Sequence, residues 1–87
     1  MNQSIIFTDI VEWDEALKQV YLIVQVQGVN VSCFIKPAII EKLTSTTIKN
    51  GTEALVAFEQ VRFDIEDLAE ALIESESFDE HGHIYIE

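Results

Sequence analysis

Residues 19–35 read QVYLIVQVQGVNVSCFI, and the fold turns on how this stretch is parsed. Gln19 to Gln27 is rich in β-branched residues, which fit a pleated, half-buried surface. Successive side chains on a strand point to opposite faces. Val20, Leu22, Val24 and Val26 then share one face, and Tyr21, Ile23, Gln25 and Gln27 the other. Alternation resumes after Gly28, with Val29, Val31, Cys33 and Ile35 on one side and Asn30, Ser32 and Phe34 on the other. Two such runs joined at a glycine predict a β-hairpin, with Gly28-Val29-Asn30 supplying a two- or three-residue loop.

Outward from the hairpin, Ser4 to Thr8 (SIIFT) predicts a first strand. The acidic stretch DIVEWDEAL predicts a connection, with one helical turn at Asp14 to Lys18. On the other side, Lys36-Pro37 ends the third strand, and proline suits the first turn of a helix. Pro37 to Leu43 is then a short helix, followed by the polar loop TSTTIKNGT. Asn50 with Glu53 has the spacing of a capping box. From Thr52 to about Glu74, Leu55, Phe58, Val61 or Arg62, Ile65, Leu68, Ala69 and Leu72 recur at helical spacing. This predicts one long amphipathic helix. Val56 and Phe63 lie off its stripe and widen the apolar face beyond what a small sheet needs. His83 to Glu87 predicts a last strand.

The order β-β-β-α-α-β predicts an α+β fold, a mainly antiparallel sheet with the long C-terminal-half helix packed on one face. At 87 residues the chain is a single domain, 1–87, with one modest core. The apolar fraction of 48% argues against disorder, which requires low hydrophobicity. No repeat or low-complexity segment divides it.

Formal net charge is −11, from 16 acids against five lysines and arginines. Phosphate neutralisation supplies much of the affinity of nucleic-acid binders, so direct nucleic-acid binding is not expected. A surface this acidic suits solubility or a basic partner. The start of the chain has no signal-peptide pattern, and no run is long and apolar enough to span a membrane. One cysteine, Cys33, forms no internal disulfide. Together these features predict a cytoplasmic protein.

Three pieces fall in a characteristic order: WDEA at Trp13 to Ala16, V-x-C-x-I at Val31 to Ile35, and AF-x-x-x-R-x-x-I-E, which is Ala57, Phe58, Arg62, Ile65 and Glu66. With a glycine-containing final strand, the chain resembles a small bacterial family, domain of unknown function 1488. The resemblance covers nearly the whole chain. Two features depart from it: Lys36-Pro37 replaces the more usual serine cap, and the loop after the short helix lacks a phenylalanine-glycine pair. The resemblance implies a small α+β domain. It brings no established activity, so no functional residue is transferred.

The residues themselves offer few chemical constellations. His81 and His83, with Asp79 or Glu80, are candidate metal ligands if the last strand starts early enough to align them. A zinc site ordinarily takes three or four ligands, and Gly82 predicts a bend instead. Cys33 shares the parity of Val31 and Ile35, so it reads as a small buried hydrophobe rather than a nucleophile. The carboxylates lie mostly on one helix face, and the glycines are too scattered for a phosphate loop. No enzymatic activity and no cofactor are expected. Arg62 interrupts the apolar stripe between Glu59 and Glu66. Its stem covers the core while its head meets those acids, or its fork binds a carboxylate from another segment, such as Asp9 or Asp14, or from a partner. Trp13 reads as a lid on the core edge or as a binding anchor.

Tyr21, Ile23 and Phe34 remain, on the sheet face the long helix leaves open. Such residues often mark a partner surface: either the short helix crosses to cover them or a second chain does. The leading expectation is a non-enzymatic interaction module that forms a homodimer, with Tyr21, Ile23, Phe34, Trp13 and Arg62 as interaction residues. One alternative is an acidic regulator of a basic or nucleic-acid-binding protein. Another is a small-molecule or metal-binding domain using His81 and His83.

Overall fold

The computed structural model describes residues 4–87. Reading the start of the chain as free of a basic leader falls partly on residues 1–3, outside the described residues. Among the described residues, four strands form one sheet in the order β1-β2-β3-β4: β1 (Ile5–Asp14), β2 (Gln19–Val26), β3 (Val29–Ile35) and β4 (Ile84–Ile86). Three helices lie between β3 and β4: α1 (Pro37–Thr44), α2 (Gly51–Gln60) and α3 (Arg62–Glu74). The chain is α+β. The β1–β2 and β2–β3 pairings are antiparallel, and the return of β4 beside β3 is parallel, reached by the helical crossover.

The hairpin has the expected parity. Val20 faces Ile35, Leu22 faces Cys33 and Val24 faces Val31 across the β2–β3 ladder. Its turn is Gln27-Gly28, one residue earlier than the loop read from Gly28 onward. Both residues have positive φ, 52° and 82°. That is the requirement of a type I′ turn, whose twist matches the flanking strands. Gly28 meets it without strain, and Gln27 carries a side chain into a conformation that L residues rarely adopt.

The first strand is longer than SIIFT. It continues through DIVEWD, so the acidic stretch is strand rather than connection, and residues 15–18 form a turn rather than a helical one. Acidic residues are tolerated here because β1 is an edge strand, where charge faces water and discourages pairing with other chains. The register slips between Phe7, opposite Val24, and Val11, opposite Leu22. Three residues of β1, Thr8 to Ile10, therefore stand against Ile23 alone. The Thr8 hydroxyl donates to the Ile23 carbonyl (2.7 Å) and accepts from the Ile10 N–H (3.1 Å), closing the bulge on itself.

The expected long helix is two helices. Its start is as read: the Asn50 Oδ1 accepts from the Glu53 N–H (2.9 Å). The Glu53 carboxylate reaches back to the Lys49 N–H (2.9 Å), one residue before the cap. At Val61 the backbone leaves helical geometry (φ −123°, ψ 24°), its N–H bonding the Phe58 carbonyl three residues back. The ladder restarts when the Ile65 N–H bonds the Val61 carbonyl. The change of direction lets α2 lie over β1 and β2 while α3 reaches β4. Buried helical residues are Ile40, Ala54, Ala57, Phe58, Ile65, Ala69 and Ile73, in one cluster with the inward residues of the sheet. Small alanines line much of α2's contact, so the helix sits close to the strands. Leu68, assigned to the core stripe by spacing, is 42% exposed.

Candidate functional site

All three helices cover one side of the sheet. Its inner side chains, Val20, Leu22, Val24, Cys33, Ile35 and Ile84, have no exposed surface. Their neighbours of opposite parity form the outer face, and there the strands bring together residues distant in sequence. Tyr21 is opposite Phe34, and Phe34 is opposite Tyr85. The Phe34 ring stacks on Tyr85 at 5.2 Å between centroids and meets Tyr21 at 6.1 Å and His83 edge-on at 5.2 Å. Offset and edge-to-face arrangements are the favourable ones for aromatic rings, and they hold this row in place. Ile23 and Ser32 are the next pair along β2 and β3, followed by Gln25 and Asn30. The outward positions of these two strands carry no charged side chain from Tyr21 to Gln25 or from Asn30 to Phe34. Acids begin at β1, where the Glu12 carboxylate accepts from the Tyr21 hydroxyl (2.8 Å).

The structure thus joins Tyr21, Ile23 and Phe34 as expected from parity. It adds Tyr85 and His83, which the sequence reading placed in the last strand without connecting them to this face. The signal that could have found them was the strand order, which periodicity does not contain.

Arg62 and Trp13 stand elsewhere. Arg62, at the first turn of α3, has a largely buried side chain. Its Nε donates to Glu66 (3.0 Å), Nη1 to Glu59 (3.2 Å) and Nη2 to the Thr8 carbonyl (2.7 Å), with Asp9 at 3.6 Å. Both expectations hold at once: the head meets the two helical acids, and the fork also reaches Asp9. The sequence reading missed the Thr8 carbonyl, because a bulge has no simple sequence signature. Burial works against the charge. The Glu66 hydrogen bond and the charges of Glu59, Glu66 and Asp9 outweigh it, so the guanidinium is held above its ordinary range. Arg62 therefore fastens the helix break to the β1 bulge. The guanidinium also lies 5.8 Å from the Phe58 ring centroid, within cation–π range.

Trp13 is half-buried against the core and roofs Gly51, where an added Cβ would lie 2.5 Å from the indole Cδ1. Its Nε1 donates to Glu15 (2.8 Å), which also pairs with Lys18. Beside it is an open cavity of about 310 Å³, with Lys18, Pro37, Lys49 and Asn50 on its walls. The indole packs as a lid, one of its two expected roles.

The last strand starts at Ile84, one residue later than expected, and Gly82 (φ 78°) bends the chain before it. His81 and His83 do not stand on one strand face. Asp79 Oδ1 accepts from both of their backbone N–H groups (2.8 Å each), foremost the His83 bond, which holds its carboxyl below the usual carboxylate range. The acid proposed as a third ligand is thus engaged as a turn cap. Among the described residues, no group of three or more His, Cys, Asp or Glu is arranged to hold a metal. The two imidazoles lie 6.0 Å apart. Cys33 is fully buried, and burial pushes its thiol up to about 12, where it is no nucleophile at neutral pH. Among the described residues, no helix is long and apolar enough to cross a membrane.

Comparison with known proteins gives a consistent result. The sequence profile of the family described as "Protein of unknown function (DUF1488)" matches residues 5–86. The uncharacterized protein YrdB of Escherichia coli (strain K12) is 36% identical over 87 residues, covering 99% of both chains. Its Shigella flexneri counterpart is 34% identical over the same share of each. A crystal structure of a protein of unknown function from the DUF1488 family, from Shewanella loihica PV-4, is 48% identical with a TM-score of 0.91. It covers 100% of this chain and 96% of the other.

Proposed function

The chain belongs to the DUF1488 family, and we propose that it is a non-enzymatic protein-interaction module that self-associates through the outer face of its sheet. The observation that carries this reading is the row Tyr21–Phe34–Tyr85 with Ile23 beside it, on a face that receives no helix among the described residues. Aromatic residues are enriched and charged residues depleted at the centres of protein interfaces. The occupant is a second copy. A chain of net charge −11 approaches its own kind at least cost through a face that carries little charge, and the acids crowd instead onto the helices and the β1 edge. A two-fold axis through the Phe34 region would set each row against its counterpart, the self-complementary arrangement of a homodimer.

The non-enzymatic part of the reading is supported by the placement of the reactive groups. The thiol is packed in the core, and Asp79 is bound to backbone N–H groups. A free, buried cysteine suits a reducing cytoplasm.

Sedimentation velocity over a concentration series tests the proposal. It expects reversible dimers whose affinity rises with salt, since screening relieves the repulsion between two acidic chains. Ile23→Lys and Phe34→Glu are expected to leave a folded monomer. A wild-type chain that stays monomeric at millimolar concentration and high salt would remove the proposal.

A further inference from the structure

We infer a second docking surface, adjoining the self-association face at Tyr85: a groove along the edge of β4 that takes an extended segment of another protein, with an apolar residue flanked by lysine or arginine. Among the described residues the sheet ends at β4. Its parallel ladder with β3 uses the backbone groups of Ile84 and Ile86, the latter accepting from the Lys36 N–H (3.1 Å). In such a ladder the intervening residue turns its N–H and C=O to the other side. Tyr85 therefore presents one donor and one acceptor off the edge. Among the described residues, neither is taken by a turn, cap or side chain.

Beside that edge lies a cavity of about 300 Å³, lined by Ile39 of α1, Leu68 and Leu72 of α3, and Tyr85, Ile86 and Glu87. Leu68 is 42% exposed, although its spacing along the helix marks it for the core. An edge strand beside a helix with an apolar trough between them is the geometry in which an extended peptide adds as a further strand. Main-chain hydrogen bonds give the affinity, and alternate side chains entering the trough give the selectivity.

Charge specifies the occupant. Of the acids of α3, Glu66 is engaged by Arg62, and Asp64 alone has the spacing that places it on the side of Leu68. Asp64 stands one turn before Leu68, and Glu87 closes the strand end of the trough. Lys36, bonded to Ile86, and Lys42, one turn beyond Ile39, stand on the α1 side. This asymmetry turns the basic residues of the segment toward α3. An extended chain with an apolar residue facing the trough, and a base two positions away on the same face, satisfies both features.

The probe is a capped heptapeptide, Thr-Lys-Thr-Leu-Thr-Lys-Thr, titrated into the full-length ¹⁵N-labelled chain. Amide shifts are expected at Tyr85, Leu68 and Leu72. The dissociation constant is expected to rise roughly tenfold or more when the lysines are replaced by glutamates, and similarly in Leu68→Lys. Leu68→Lys is partly exposed at this site and is expected to keep the wild-type melting curve and the wild-type self-association. Should that variant unfold, a peptide N-methylated at its central leucine and both flanking threonines replaces it, and must lose binding because the edge bond is blocked in either strand direction. Shifts that avoid Tyr85 and Leu68 up to millimolar peptide, or equal binding of the glutamate peptide, would overturn the inference. Loss of dimerisation in Ile23→Lys with peptide binding intact would separate the two surfaces.

Discussion

Arg62 is the residue on which local and long-range structure meet. It tethers α3 to a bulge 54 positions earlier in the chain through the Thr8 carbonyl. A planar fork reaches three acceptors at once, and an ammonium group does not reproduce that geometry. Arg62→Lys is therefore expected to cost about 1–2 kcal/mol and Arg62→Met about 2–3 kcal/mol, the larger loss because Glu59 and Glu66 would then repel without a counter-ion. Urea denaturation measures both, and loss of protection at the Ile10 and Ile23 amides in hydrogen exchange locates the damage at the bulge. A Met variant as stable as wild type would show that the bulge holds without this tether. Cys33 gives a second residue-scale expectation. Its thiol is raised from an ordinary 9.0 to about 12 by burial. The unfolded chain releases this proton first, so the contribution to stability is complete below about pH 9 and is lost as pH rises toward 12. Thiol reagents should label Cys33 at pH 8 only through unfolding, at a rate that follows denaturant; rapid labelling of the native chain would contradict its burial.

Among the elements, legibility in the sequence depended on whether a local rule was the deciding one. Parity fixed β2 and β3, because Val20, Leu22, Val24, Cys33 and Ile35 must all be inside for either strand to be. The extension of β1 was hidden, since Asp9, Glu12 and Asp14 have the composition of a loop and are strand only because the edge faces water. The break at Val61 was hidden for another reason. Valine is neither proline nor glycine, and apolar spacing continues across it. What ends α2 is tertiary: the layer must turn to reach β4, and Arg62 must reach Thr8. The one long amphipathic helix predicted from spacing is therefore two helices, while the outer face, which rests on strand parity, is unaffected. Gly51 shows the same dependence on distant structure. As a helix start it reads as an ordinary cap neighbour, yet the Trp13 indole occupies the space of a Cβ, with Cδ1 and Cγ at 2.5 and 2.6 Å. Gly51→Ala is expected to destabilise by about 1–3 kcal/mol despite alanine's better helix propensity, because the ring must shift. The check is a thermal melt followed by tryptophan fluorescence. In a Trp13→Leu background the penalty should largely vanish; a penalty unchanged there would place its origin elsewhere.

At the scale of the whole molecule, a small α+β domain divides its surface by charge. Acids gather on α3, the turn before β4 and the β1 edge, while β2 and β3 present an outer face of Tyr21, Ile23 and Phe34 with polar neighbours. Of the candidate residues, the three on the hairpin were legible from alternation. Tyr85 and His83 required the parallel return of β4, which no local pattern encodes. The central claim is that this face meets its copy, and intermolecular contacts read it most directly. In a mixture of ¹³C,¹⁵N-labelled and unlabelled chain, isotope-filtered NOE spectra should show contacts between the Phe34 and Tyr85 rings of one chain and Ile23 or Tyr21 of another. Intermolecular contacts confined to the helices, or none at all under conditions where the chain is dimeric by sedimentation, would contradict it.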